Sequence, residues 1–154
     1  MRNTPTKLYP LTDFFKGFEE VKALQDIFGS RTEAVLKGMK IEFYSAKWGY
    51  MGVNDGDGHI LISSHHMRHS PFRTLYLDII HELYHIRQRM DGKKLFLDDF
   101  EYFDSPIETA AYKFTVKEAK RIGMSDKEII DYLEVPWADK KQLNKFVKRL
   151  GLRP

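Results

Sequence analysis

The chain has 154 residues, 42 % of them apolar, and a net charge of only +3, which suits one domain with a sizeable core spanning residues 1–154. It contains no cysteine. Disulfides, thiolate ligands, iron–sulfur clusters and a cysteine nucleophile are therefore excluded, and any metal must be held by His, Asp or Glu. No run approaches the ~18 consecutive apolar residues of a membrane span, and the N-terminal stretch MRNTPTKLYPLTDFF lacks the apolar core and cleavage site of a leader. These features predict a soluble, cytoplasmic chain with no membrane partner.

In chain order, Phe14, Phe15, Phe18, Val21, Leu24 and Phe28 are spaced for one face of a helix over 12–28, with Gly29 as its stop. Ser30 and Glu33 then form the pattern of a capping box opening a short helix. From Met39 the period changes. Short aromatic and β-branched runs, broken at Lys47-Trp48-Gly49 and by Asn54-Asp55-Gly56-Asp57-Gly58, predict two or three antiparallel strands, the last over 58–63. After Ser70-Pro71, apolar residues recur at helical spacing from Phe72 to Met90 and stop at Asp91-Gly92. Ser105-Pro106 opens a helix closed by Gly123, Ser125 caps one running to Leu133, and a last helix covers 138–150. Helices, a small antiparallel or mixed sheet and then further helices make an α+β domain.

The long helix carries His81-Glu82-Leu83-Tyr84-His85. Residues four apart lie about 40° apart around a helix axis, so both imidazoles can reach one ion, while Glu82 can reach a water beside it. A catalytic zinc takes three protein ligands. Glu108 is the leading candidate for the third, because Thr109, Ala110 and Ala111 beside it let its helix approach closely; the alternative is a first-turn glutamate favoured by the helix dipole. His65, His66 and His69 form a rival group. No carboxylate accompanies them and a helix is not expected between Ser63-Ser64 and Ser70-Pro71, although His66 could touch substrate at the rim of a cleft.

HELYH followed after 22 residues by ETAAYKF resembles the gluzincin pattern of zinc metallopeptidases. The short chain is similar to the minimal members called minigluzincins, with ImmA/IrrE-type peptidases as neighbours. The resemblance covers about 58–150 and implies a minimal zincin-like domain holding one Zn2+ on His81, His85 and Glu108, an endopeptidase acting on peptide or protein substrates through a metal-bound water. In that reading Glu82 is the general base and then delivers the proton to the leaving amine. Tyr112, one turn after Glu108, is offered as the oxyanion donor against the alternative of a core tyrosine, and Asp78 as the residue that orients His81. The resemblance also implies an exposed edge strand that binds the substrate main chain, for which Gly58, His59, Ile60, Leu61 and Ile62 stand in position.

Residues 136–154 carry a charge of +5, whereas FLDDFEYFDSPIE is acidic throughout. Three readings of this tail stay open. It packs on the domain through Leu143, Phe146, Val147 and Leu150, or it belongs to a helix-turn-helix DNA reader of an ImmA/IrrE-like regulator that binds DNA or cleaves one dedicated repressor. In the third it is drawn to the acidic linker as a lid, a latency for which minigluzincins are known. Oligomeric state is not readable from the sequence.

Overall fold

The computed structural model describes residues 7–154; the first six residues, part of the stretch read for a leader and of the 1–154 domain, lie outside the described residues. The fold is α+β. No helix among the described residues is long and apolar enough to cross a membrane.

Strand β1 (Leu8–Pro10) leads into two 3-10 turns, Leu11–Asp13 and Phe18–Glu20, before helix α1 (Lys22–Phe28). The single helix expected over 12–28 does not form. Gly17 takes φ +79° between the turns, which breaks the helical register while still burying Phe15 and Phe18. The capping box at Ser30 is absent as well. Residues 29–31 make a further 3-10 turn into α2 (Thr32–Gly38), the Thr32 hydroxyl donates to the Gly29 carbonyl at 2.7 Å, and Glu33 pairs with Lys37.

Three further strands follow: β2 (Lys40–Tyr44), β3 (Met51–Val53) and β4 (Ile60–Ser63). The sheet order is β1-β2-β4-β3. β4 is antiparallel to β3 but parallel to β2, with Ile41 opposite Ile60 and Phe43 opposite Ile62, so the sheet is mixed. Periodicity reports which residues are extended, and strand order is decided by which faces can bury together. β4 is flanked on both sides, by β2 and β3, so it is not the edge strand expected from the sequence; the edges are β1 and β3. The loop before β3 is held by Gly49, where a built Cβ would lie 2.6 Å from the Tyr44 hydroxyl and 2.7 Å from the Ser63 Cβ. Tyr44 in turn accepts from the Tyr50 amide at 3.1 Å.

A short helix, α3 (Ser64–His69), forms where none was expected. Ser63 is its cap, its hydroxyl accepting from the His66 amide. The central helix α4 (Phe72–Met90) has Pro71 as its N-cap residue. Helices α5 (Pro106–Arg121) and α6 (Asp126–Leu133) carry the expected Ser105 and Ser125 caps, the second a complete capping box. Helix α7 (Lys140–Arg149) starts at an Asp139 cap.

α4 is buried on two sides. Ile79, Ile80, Leu83 and Ile86 join the sheet residues Ile41, Ile60 and Ile62 and the α1 residues Leu24 and Ile27 in one core. Leu77 joins Phe103, Tyr112, Val116, Ile129 and Leu133 in a second. Leu143, Phe146 and Val147 of α7 are buried in that second core, so the apolar face of the tail packs on the domain. The tail also meets the acidic linker: Arg149 donates to the Phe103 carbonyl at 2.5 Å and pairs with Asp104 at 3.6 Å, and Gln142 donates to Glu101 at 3.1 Å.

Candidate metal centre

The C-terminal half of α4 supplies the site because the apolar stripe of the helix fixes its rotation. With Ile80 and Leu83 turned to the sheet, His81 and His85 face α5, where fully buried Ala111 allows close approach. The ring centroids of the two histidines are 4.7 Å apart and their Nε2 atoms 3.1 Å apart. Glu108, in the first turn of α5, brings its carboxylate to 3.0 Å from His81 Nε2 and to 3.2 Å from His85 Nε2. Bonds of about 2.0–2.1 Å in a tetrahedron put ligand atoms about 3.3 Å apart. The three donor atoms therefore converge at the separation one zinc-sized ion needs, and they form a group able to hold a metal ion.

The remaining ring nitrogens are fixed by neighbours that the sequence did not single out. His85 Nδ1 lies 2.7 Å from Gln88 Oε1, and the Gln88 amide nitrogen donates to the Ile107 carbonyl at 3.1 Å. The amide oxygen must then accept from Nδ1–H, which leaves the Nε2 lone pair facing the site. His81 Nδ1 lies 3.4 Å from the Thr115 hydroxyl, whose own proton goes to the Ala111 carbonyl at 2.8 Å. That oxygen can therefore only accept, and His81 is held in the same tautomer. Gln88 at i+3 from His85 was visible in the sequence as a polar residue on the buried face; Thr115 gave no comparable signal.

Burial alone would raise the Glu108 carboxyl and lower the His85 imidazole. Hydrogen bonds and charge win instead: His81 and His85 hold Glu108 below the ordinary carboxylate range, and Glu108, with Glu82 and Gln88, pushes His85 up to about 9. A carboxylate stays ionised here even against desolvation, as a metal ligand must.

The site opens into a cleft of about 600 Å³. Glu82 lines it, and its carboxylate makes no hydrogen bond or ion pair with any described residue. Burial pushes that carboxyl above its usual value, partly opposed by charge interactions with His81 and His85. Tyr112 also lines the cleft, its ring 4.3 Å from the His81 ring and its hydroxyl 2.7 Å from that of Tyr102. Burial keeps both phenols well above their ordinary values, so they remain neutral donors. Tyr102 stands in the linker just before α5, a lone turn of 3-10 helix in an acidic stretch whose aromatic gave no periodic signal.

Two expectations are corrected at the cleft. Asp78 does not orient His81; it accepts from Tyr132 at 2.8 Å and binds His66 Nε2 at 2.6 Å, because it lies toward α3 and α6. Gly58, His59, Ile60, Leu61 and Ile62 do not border the cleft. Ile60 and Ile62 are fully buried in the core, and His59 is bound to Asp57 and Glu42. The residues of this region that do border it are Gly49 and Tyr50, in the loop before β3, and Met51, the first residue of the edge strand β3. Opposite them, Trp137 from the α6–α7 connection meets both walls edge-on, 5.0 Å from Tyr50 and 5.6 Å from Tyr102.

Compared with models of known protein families, with curated proteins and with solved structures, the chain has no match.

Proposed function

We propose that the protein is a zinc-dependent endopeptidase of the gluzincin type. The observation that carries this reading is the convergence of His81 Nε2, His85 Nε2 and the Glu108 carboxylate within 3.0–3.3 Å of one another, with the unpaired Glu82 carboxylate beside them in an open cleft. The donor set, two neutral imidazoles in a fixed tautomer and one carboxylate, fits zinc and leaves a coordination position free. The chemistry such an ion supplies is Lewis acidity, which polarises a carbonyl and acidifies water.

The chain's own residues supply the rest. Glu82 takes a proton from the attacking water and passes it to the leaving amine nitrogen, and its raised proton affinity suits both transfers. The Tyr112 and Tyr102 hydroxyls are neutral donors for the charge that develops on the carbonyl oxygen. The free β3 edge, rather than β4, offers main-chain groups to an extended peptide. The Trp137 bridge between Tyr50 and Tyr102, held by the docking of α7 on the linker, supports a latent form in which the C-terminal segment narrows the cleft.

Elemental analysis of wild type and Glu108→Ala, with a casein-type assay on wild type and on Glu82→Gln, tests the proposal. About one zinc in wild type, lost in Glu108→Ala, and retained without activity in Glu82→Gln is the expected set. A wild type that takes up no zinc on reconstitution would sink it.

A further inference from the structure

His65 and His69 lie one turn apart on α3, in the wall of the same cleft but outside the group formed by His81, His85 and Glu108. Their ring centroids are 4.3 Å apart, closer than the 4.7 Å between His81 and His85, with the ring planes inclined by 38°. Both side chains are exposed, and neither ring makes a hydrogen bond or ion pair with any described residue. That separates them from His66 between them, whose two nitrogens are taken by Ser70 at 2.7 Å and Asp78 at 2.6 Å. The helix, absent from the sequence reading, is what turns a loop of histidines into an aligned pair.

We propose that His65 and His69 form a second, exchangeable divalent transition-metal site, independent of the first. Two exposed imidazoles at i and i+4 have no hydrogen bond to break and can turn toward one ion by side-chain rotation, and imidazole selects zinc, copper or nickel over calcium or magnesium. The lining of the cleft holds carboxylates as well as the cation Lys47. Arg73 is neutralised by Glu128, whereas Asp131 and Glu134, which also line the cleft, have no ion-pair partner among the described residues. With two protein ligands, the ion keeps its other positions for water or for a carboxylate of a bound peptide.

Equilibrium dialysis of the full chain against Zn2+, with metal quantified in the protein compartment, tests this. Wild type is expected to fill two sites in separate steps, the second weaker. The double variant His65→Ala/His69→Ala loses the weaker step and keeps the tighter one, whereas His81→Ala/Glu108→Ala loses the tighter and keeps the weaker. Copper electron paramagnetic resonance on the His81→Ala/Glu108→Ala protein should show coupling to imidazole nitrogen that disappears when His65 and His69 are also replaced. A wild type that lacks the weaker step, or a His65→Ala/His69→Ala protein that fills both steps as wild type does, overturns the proposal. Both replaced side chains are exposed, and circular dichroism confirms the fold of each variant. Loss of the tight step alone would count against the first centre and leave the second standing.

Discussion

Gln88 joins the two halves of the metal centre: its amide oxygen lies 2.7 Å from His85 Nδ1 while its amide nitrogen donates at 3.1 Å to the carbonyl of Ile107, the residue before Glu108. One buried side chain thus sets the tautomer of a ligand on α4 and the position of a ligand on α5. Gln88→Leu keeps the volume and removes both bonds, and should lower zinc affinity about 10- to 100-fold. A chelator-competition titration measures it; an unchanged affinity would show that α4 and α5 hold the centre without this tie.

The His85–Glu108 pair makes the metal-free protein sensitive to pH in a definite direction. His85 is raised to about 9, so its contribution to stability is full below its unfolded value of about 6.5 and is lost as pH rises through 9. Glu108 is depressed, so its contribution is full above about 4.3 and is lost as pH falls below that. Zinc must displace the His85 proton, so its affinity rises with pH up to about 9. Melting temperatures with zinc and with chelator should therefore diverge as pH is raised from 6.5 to 9. A gap that narrows with rising pH would contradict the arrangement.

Glu82→Gln removes the proton acceptor and keeps the shape. Metal content and melting temperature should stay at the wild-type level while peptide hydrolysis drops by at least about 10²-fold. Hydrolysis within a few-fold of wild type would assign the base elsewhere.

Trp137→Ala opens the bridge between Tyr50 and Tyr102 without touching a ligand. If this bridge restrains the cleft, kcat/KM on an unfolded protein substrate rises about 10-fold, the effect of removing a conformational step worth about 1.4 kcal/mol. A fall in kcat/KM would instead make Trp137 part of the substrate-binding surface.

Gly49→Ala tests the approach of the β3 loop to Tyr44. The added methyl meets Tyr44 and Ser63 below van der Waals distance, and should cost about 1–3 kcal/mol in denaturant unfolding. No loss would mean that the loop relaxes freely.

The sequence by itself determined whatever depends on neighbours a few residues apart. The turn-to-turn spacing of His81 and His85, the caps at Ser105 and Ser125 and the apolar stripes of α4, α5 and α7 follow from 3.6-residue geometry, and all are present. The long first helix failed because Gly17 interrupts a pattern that aromatic burial alone could satisfy in shorter turns. Only the tertiary structure decided the rest: that β4 lies inside the sheet and β3 at its edge, that Asp78 serves His66, and that Gln88, Thr115 and Tyr102 surround the centre. Those outcomes depend on which faces bury against each other across tens of residues, a competition among packings that no local spacing encodes. The meeting of Glu108 with the two histidines belongs to both. Its place in the first turn of a helix flanked by small residues was legible, and the close packing of α5 on α4 brought its carboxylate to 3.0 Å from His81.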